Sequence, residues 1–204
     1  MKGHKKMDMK YELLAGQSIQ RGNRTLFRVR ALVSFGSVSA GECGGYIEFA
    51  NNLDQSGNAQ VSGNAQVSGN AQVSGDAWVY GDAWVYGNAR VYGNAQVYGN
   101  ARVYGNAQVS GDAWVSGNAQ VSGNAAIIWA SHVGSENGTL SAFCARPGIL
   151  VTRGCFIGTP EEFLAAVASK HGGTQIETEY RLLIEFMQLR LSTAVLTLAR
   201  QEGS

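Results

Sequence analysis

The stretch that decides the fold is residues 75–98, GDAWVYGDAWVYGNARVYGNAQVY, in which one six-residue phrase occurs four times. The phrase is G-[N/D]-A-x-V-[S/Y], and its glycines recur every six residues from Gly57 to Gly123. This makes twelve hexads without an insertion, of which the last, GNAAII, is degenerate. Self-similarity at a fixed period indicates a repeat architecture.

The length of the repeat favours strands over helices. A glycine in every hexad costs a helix about 1 kcal/mol relative to alanine, and a period of six does not match the helical turn. In an extended chain, the Ala and Val of each hexad point to one side and the residue between them to the other. The Gly-Asn or Gly-Asp pair supplies a bend, because these residues tolerate positive φ. A disordered tract is the competing interpretation, but disordered segments lack apolar residues in strict register.

The pattern V-x-G-[N/D]-A-x resembles the hexapeptide repeat of left-handed β-helices, in which three hexads form a triangular coil of eighteen residues. The resemblance implies that pairs such as Val61 and Ala65 point inward. That family often has glycine directly after the aliphatic residue, whereas Ser or Tyr stands there in this chain. The flanks RGNRTLFRVRALVSFGSVSAGECGGYIEFANNL and TRGCFIGTPEEF are similar to those of bacterial and bacteriophage hexapeptide-repeat proteins labelled as transferases. The function of that family is not established, so the resemblance implies a phage or prophage setting more than a chemistry.

An eighteen-residue coil can be checked against the charges. Positions i and i+18 would stack about 4.8 Å apart, where like charges destabilise a sheet. Each of the three aspartates in the repeat stacks only on asparagines at this offset. The offset also predicts stacked pairs Tyr80–Tyr98 and Tyr86–Tyr104, and a cation–π contact between Trp84 and Arg102.

The coil pattern extends beyond the clear hexads at both ends. Ile47 and Leu53 fall in the alanine register and Phe49 in the valine register, which predicts a wider or irregular first coil. Downstream, Val133 keeps the valine register. The predicted fold is mainly β: an N-terminal tail and β cap over 1–46, a left-handed parallel β-helix over 47–135, and a C-terminal β-hairpin with two helices over 136–204.

The flanking segments predict caps, since bare strand edges invite aggregation. Thr25 to Phe35 reads as strand, and TLSAFCARPGILVTRGCFIG as a hairpin around Arg146-Pro147-Gly148. Thr159-Pro160-Glu161-Glu162 is a capping box, which predicts a helix to about Lys170. A second helix, from about Gln175 to Arg200, has apolar residues at helical spacing. This helix either packs over the hairpin or associates with its copies, or does both.

Composition narrows the function classes. Sixteen Lys and Arg against fifteen Asp and Glu give a net charge of +1, so no attraction to DNA or to an anionic membrane is expected. Three scattered cysteines predict reduced thiols and a cytoplasmic setting, which is the host cytoplasm if a phage encodes the protein. No apolar stretch has the length of a membrane span, and no cysteine spacing suggests a metal site, so no cofactor is expected.

Catalysis is weakly indicated. Acyltransferases of the left-handed β-helix class use a histidine base, but this chain has only His4, His132 and His171, none of them inside the repeat. We therefore expect a non-enzymatic protein, with acyl transfer by His132 or His171 as one alternative. Cys155 precedes a helix start, where a thiolate is favoured, yet a free cysteine is usually just buried, and burial is the expectation.

If Ala and Val fill the coil, function must use the outside. The outward aromatic and arginine residues concentrate in the middle coils, a composition typical of protein interfaces, although rings can also stack merely as cross-strand ladders. We expect a homo-oligomer, a trimer as among relatives of this fold, or a complex with a host protein in a phage host-control or counter-defence role. The alternative is nucleotide binding by Arg90 and Arg102 beside aromatic rings. The predicted binding residues are Trp78, Tyr80, Trp84, Tyr86, Arg90, Tyr92, Tyr98, Arg102, Tyr104 and Trp114.

Overall fold

The N-terminal part of the computed structural model is an antiparallel cap. The structure describes residues 9–123, 127–145 and 148–201, with side chains described through Ser192. The cap consists of β1 (Tyr11–Arg21), β2 (Arg24–Ala31) and β3 (Cys43–Ile47), followed by a 3-10 turn at Ala50–Asn52. Strand β2 pairs antiparallel with both β1 and β3. The predicted strand from Thr25 is confirmed but ends at Ala31, and β1 was not predicted.

The hexads form a parallel β-solenoid of about four turns. Each strand pairs in parallel with the strand eighteen residues further on, so Val79 lies opposite Val97 and Val97 opposite Val115. The offset expected from the sequence is therefore confirmed. The strands are β4 (Gln60–Val61), β5 (Gln66–Val67), β6 (Gln72–Val73), β7 (Trp78–Val79), β8 (Trp84–Val85), β9 (Arg90–Val91), β10 (Gln96–Val97), β11 (Arg102–Tyr104), β12 (Gln108–Val109), β13 (Trp114–Val115) and β14 (Gln120–Ser122).

Three ladders of these strands form three faces of the rod. Face 1 consists of β4, β7, β10 and β13, face 2 of β5, β8, β11 and β14, and face 3 of β6, β9 and β12. Face 2 continues through β3 into the N-terminal cap. Inside, the Ala and Val of every hexad from Ala59 to Val121 are at most 3% exposed. Methyl groups therefore fill the coil, as the alternation of the hexad predicted.

The first coil is wider than the others. Ile47 lies opposite Val67 and Leu53 opposite Val73, an offset of twenty residues (67 − 47 and 73 − 53). Both residues thus occupy the valine register, and the predicted alanine register is wrong. Phe49, predicted in the valine register, is 51% exposed. Ile47 and Leu53 keep the hexad spacing of six, whereas Leu53 and Val61 are eight residues apart (61 − 53), so the two extra residues lie between Leu53 and Val61.

Polar side chains of the cap satisfy the first edge of the solenoid. Lys10 is almost fully buried, and its Nζ donates to the carbonyl oxygen of Ala59 at 2.9 Å. The Nδ2 of buried Asn52 donates to the carbonyl oxygens of Gly69 and Ala71 at 2.9 and 2.8 Å. Since a bare edge carbonyl would otherwise lack a partner, these contacts terminate the rod without exposing it to another chain.

A four-stranded antiparallel meander follows the rod. Its strands are β15 (Ile127–Val133), β16 (Gly138–Ala145), β17 (Gly148–Arg153) and β18 (Phe156–Gly158). The predicted hairpin is confirmed as β16 and β17, while its turn residues Arg146 and Pro147 lie outside the described residues. Val133 does not continue the solenoid register, because parallel pairing ends at Ser122 and Val133 pairs antiparallel with Gly138.

The meander covers the last edge of face 1 with polar side chains. The backbone N–H of Trp114 donates to Ser141 Oγ at 3.2 Å, and Thr152 Oγ1 donates to the Trp114 carbonyl at 3.1 Å. Ser141 and Thr152 are both buried. These two hydrogen bonds satisfy the backbone of the last strand of face 1, which is the capping role predicted for the C-terminal segment.

Two helices complete the chain, α1 (Pro160–His171) and α2 (Gln175–Gln201). The capping box is confirmed: Glu162 N–H donates to Thr159 Oγ1 at 3.2 Å, and Thr159 N–H donates to Glu162 Oε2 at 2.8 Å. Helix α2 contacts β15, β16 and β17, which confirms packing over the hairpin. Its buried residues are Tyr180, Ile184, Met187 and Leu191, and its exposed apolar residues are Leu182, Phe186 and Leu189. In the part of the chain that the structure describes, no helix combines the length and hydropathy needed to cross a bilayer.

The separation of Asp82 from other carboxylates in its corner column gives one prediction about stability. Asp82 accepts a hydrogen bond from Asn64 Nδ2 at 3.1 Å and lies one coil before Asn100. Asn100→Asp stacks two carboxylates and should lower the free energy of unfolding by a few tenths of a kcal/mol. Both positions are exposed, so high salt should remove most of the loss.

The matched control is Asn88→Asp, whose neighbours in the column are the asparagines Asn70 and Asn106. Denaturation of both variants at low and high salt measures the effect. A salt-dependent loss that is equal in the two variants would contradict the stacking of Asp82 on position 100.

Candidate functional site

The structure distributes the ten predicted binding residues over all three faces of the rod. It does not bring them into one site, because consecutive hexads lie on consecutive faces. Face 1 carries Trp78, Tyr80, Tyr98 and Trp114; face 2 carries Trp84, Tyr86, Arg102 and Tyr104; face 3 carries Arg90 and Tyr92.

On face 1 two tyrosine rings stack and one tryptophan lies beside them, while Gln96 separates Trp78 from Trp114. The ring centroids of Tyr80 and Tyr98 are 4.8 Å apart with planes 6° from parallel, which confirms the predicted pair. Trp78 lies against Tyr80 with centroids 4.7 Å apart, and its Nε1 donates to Ser62 Oγ at 3.1 Å. Burial raises the pKa of the Tyr80 hydroxyl above its ordinary value, and the neighbouring Tyr98 adds to the rise.

Face 2 repeats this arrangement one hexad later. Tyr86 and Tyr104 stack with centroids 5.1 Å apart and planes 5° from parallel, as predicted. Trp84 lies 4.4 Å from Tyr86 between centroids. Burial raises the pKa of the Tyr86 hydroxyl, and Tyr104 raises it further. The two ladders therefore have the same internal geometry on adjacent faces.

The cation beside Trp84 is not the predicted one. Arg21, at the end of β1, places its Cζ 6.0 Å from the Trp84 ring centroid, and its Nε donates to Gln66 Oε1 at 2.7 Å. Arg102 pairs with Trp84 along the backbone, but the indole Nε1 points toward the preceding coil and donates to Ser68 Oγ at 3.4 Å. The ring thus leans away from Arg102 and toward the cap, so the predicted Trp84–Arg102 cation–π contact is wrong.

Faces 1 and 2 meet at a corner column of amides and one carboxylate. Asn64 donates to Asp82, and Asn100 Nδ2 donates to Asn118 Oδ1 at 3.3 Å. Seven Trp and Tyr side chains of the repeat lie on the two faces that flank this corner, and only Tyr92 lies on face 3. We call these seven the aromatic surface: Trp78, Tyr80, Trp84, Tyr86, Tyr98, Tyr104 and Trp114.

Face 3 is polar. An open groove of about 490 Å³ runs along its corner, lined by Asn70, Gln72, Asn88, Arg90, Asn106 and Gln108. Arg90 is exposed there, whereas Arg102 is exposed on face 2. Arg90 and Arg102, the two arginines of the nucleotide hypothesis, therefore lie on different faces of the rod.

The predicted alternatives for catalysis fall on separate elements. His132 is exposed on β15 with a φ of 60°, and His171 ends α1, while His4 lies outside the described residues. Cys155 is exposed, contrary to the expected burial, because it stands in the two-residue turn between β17 and β18. Cys144 is buried, which raises the pKa of its thiol to about 11. Among the described residues, no cluster of three His, Cys, Asp or Glu side chains has metal-binding geometry.

A comparison with protein families concerns the rod alone. A family model described as the YdcK β-solenoid repeat matches five overlapping segments, residues 65–81, 71–87, 83–96, 95–111 and 107–123. No curated protein matches the chain. The matched segments all lie within the parallel ladders described above, so sequence comparison and geometry agree that this part of the chain is a β-solenoid repeat.

Proposed function

We propose that this chain is a non-enzymatic β-solenoid interaction protein that self-associates through the aromatic surface. The observation that carries the proposal is the unequal distribution of rings, with seven on faces 1 and 2 and one on face 3. The core does not require them, since Ala and Val alone fill the coil. Large aromatic side chains next to arginine are enriched where proteins bind one another.

Stacking within the chain prepares these rings for binding. Six of the seven rings contact another ring of the set, at centroid distances of 4.4 to 5.1 Å. Trp78 and Trp84 also donate a hydrogen bond to a serine of the previous coil. The rotamers of these side chains are therefore already restricted. Association of rigid side chains costs less conformational entropy than association of mobile ones. The seven rings are partly exposed, which leaves area for a partner. The ladder and the interface are therefore compatible roles of one surface.

A second copy is the partner we favour, and a trimer is the expected assembly by resemblance to left-handed β-helix proteins. The strands of each face follow one another at a constant spacing. A second copy has strands at the same spacing, so the side chains of the two copies can match along the interface. A host protein bound to the same surface, in a phage host-control role, is the other outcome that the following experiment distinguishes.

The test compares three double variants, one in each of three consecutive hexads (residues 75–80, 81–86 and 87–92). We expect Trp84→Ser/Tyr86→Ser and Trp78→Ser/Tyr80→Ser to lower the solution mass toward that of one chain. Arg90→Ser/Tyr92→Ser is the control, because it removes the same number of side chains from face 3 of the same coil. Mass photometry and light scattering, below the unfolding temperature of each variant, measure the assembly.

A wild-type protein that is monomeric over the accessible concentration range would contradict self-association. In that case, co-purification from a host extract decides whether the aromatic surface binds another protein. A partner retained by wild type and by the face 3 control, but lost from both aromatic variants, would move the proposal to a host protein. Loss of assembly in all three variants would contradict a surface-specific role.

Nucleotide binding is a second candidate function, and it rests on face 2. Arg21 lies over the Trp84 ring, and Arg102 is the backbone neighbour of Trp84 in the next coil, on the side from which the ring leans away. A base stacked on the partly exposed Trp84 ring, with its phosphate near a guanidinium group, would use this face. A rise in melting temperature with millimolar nucleotide, lost in Arg102→Ser, is expected; an unchanged melting temperature contradicts this candidate.

A further inference from the structure

A cavity remote from the aromatic surface lies between the C-terminal meander and the helices. Its volume is about 270 Å³, and its lining includes Arg153, Phe156, Phe163, Lys170 and Tyr180. It is open to solvent; the turn between β17 and β18 forms one side and α1 another, and Tyr180 of α2 and the turn between β15 and β16 complete the lining. Pockets that bind small molecules have volumes of this order or larger, are mainly apolar and hold a few convergent polar groups.

The inner wall of the cavity is aromatic and rigid. Phe163 packs edge-on against Phe156, with centroids 5.2 Å apart, and against Tyr180, also at 5.2 Å. Phe163 and Tyr180 are buried, and Val167 of α1 is buried beside them. Because neighbours on both sides hold Phe163, the wall exists before any ligand binds. It can receive a compact apolar body.

Arg153 supplies a largely enclosed cation, with only 14% of its side chain exposed. Its Nε donates to Tyr180 Oη at 3.1 Å and its Nη2 to the Val133 carbonyl at 3.3 Å. The described carboxylate nearest to it is Glu136, whose Oε2 is 3.9 Å from Nη1 on a side chain 71% exposed. A guanidinium has five N–H donors, so within the described residues Nη1 lacks a close acceptor. A largely enclosed guanidinium whose one nearby carboxylate is 3.9 Å away, on an exposed side chain, can donate to the closer carboxylate of a bound anion.

The rest of the rim is also basic. Lys170 and His171, in the last turn of α1, line the cavity on the side of that helix, and Glu136 is the one acidic residue in the lining. The three basic side chains approach from two different elements. An anion entering the cavity therefore meets cationic groups from more than one direction.

We propose that this cavity binds a small organic monoanion, with its carboxylate toward Arg153 and an apolar body against Phe156 and Phe163. Water occupies about 30 Å³ per molecule, so the cavity corresponds to about nine waters and suits a ligand the size of benzoate or a short branched fatty acid. Glu136 near Nη1 disfavours a second negative charge on the ligand. The proposed site is independent of the aromatic surface and of self-association.

Cys155 provides a built-in reporter, because it is exposed and lines the cavity. A ligand in the cavity should slow alkylation of Cys155, while Cys43, exposed in the N-terminal cap, should react unchanged. With benzoate at about ten times its dissociation constant, the Cys155 rate should fall about tenfold by mass action. Peptide mass spectrometry after timed iodoacetamide labelling reads both cysteines in one sample, and sodium chloride at equal ionic strength is the blank.

Two further measurements separate the parts of the proposal. Benzyl alcohol, which has the same ring without the charge, should protect Cys155 far less than benzoate. Ala166→Trp fills the cavity from an exposed position of α1 and should abolish protection, whereas Ala165→Trp, one residue earlier and outside the lining, should not. Equal alkylation with and without benzoate or isovalerate at millimolar concentrations would overturn the proposal. Equal protection by benzyl alcohol would overturn recognition of the anion.

Discussion

Replacing Gly93 by alanine is expected to lower the free energy of unfolding by about 3 kcal/mol. Gly93 has a φ of 70°, where an L side chain costs about 1–2 kcal/mol. An added Cβ would also lie 2.9 Å from the backbone nitrogen of Gly111 and 3.3 Å from its Cα. Backbone atoms cannot rotate out of the way, so the two coils must separate locally. The cost of this overpacking adds to the conformational cost.

Gly105→Ala is the matched control. Its φ is 62°, but an added Cβ there meets only the Gly123 nitrogen, at an ordinary 3.5 Å. We expect this variant to lose only the conformational cost of about 1–2 kcal/mol. For a chain of this size each kcal/mol lowers the melting temperature by about 2–4 °C, so thermal unfolding followed by circular dichroism resolves the two variants. Equal losses would show that the corners are not in the close contact that we describe.

The rod was predictable from the sequence because its pattern is local and repeated. Its geometry depends on one short local pattern, in which glycine forms each corner, Ala and Val point inward, and the residue between them points outward. This pattern occurs eleven times, from Gly57 to Ser122. Because the neighbouring hexads fix the eighteen-residue pairing between coils, one ambiguous hexad cannot shift it. The wider first coil breaks the rule, because eight residues rather than six separate Leu53 from Val61 (61 − 53), and nothing in the hexad pattern places Ile47 opposite Val67.

The candidate sites were predictable only in part. Sequence identified the outward rings, and the eighteen-residue offset stacked Tyr80 on Tyr98. The contact between Arg21 and Trp84 depends on how the β1–β2 hairpin folds against face 2, which no local pattern encodes. Likewise, the cavity beside Arg153 arises where α1 packs on the meander. Its lining residues are scattered over four segments of the chain, without a shared spacing.

The second large effect on the free energy of unfolding is expected from a substitution in the N-terminal cap, at Tyr11. This side chain is fully buried, and its Oη lies 2.5 Å from the Ala50 carbonyl oxygen and 2.7 Å from that of Leu53. Burial raises the pKa of the hydroxyl from 10.0 to about 12. Tyr11→Phe removes the hydroxyl donor, so the carbonyl groups of Ala50 and Leu53, in the first coil, lose this hydrogen-bond partner. We expect a loss of about 2 kcal/mol in the free energy of unfolding at pH 8.

The loss should disappear at high pH. A folded-state pKa above the unfolded one stabilises the protein fully below pH 10, and this contribution is lost as pH rises to about 12. The rise in pKa corresponds to about 3 kcal/mol, so the stabilities of wild type and Tyr11→Phe should converge across this window. Burial lowers the pKa of Lys10, which makes its own contribution rise with pH, but both proteins share that contribution.

Urea denaturation at several pH values between 8 and 12 measures the convergence, and Tyr92→Phe is its control. Tyr92 is 38% exposed, and its hydroxyl contacts only Gln108, at 3.4 Å, among the described residues. The stability difference between wild type and Tyr92→Phe should therefore stay small. A difference for Tyr11→Phe that does not shrink as the pH rises would mean that burial does not hold its hydroxyl in the protonated form. The cap would then stabilise the first coil through packing alone.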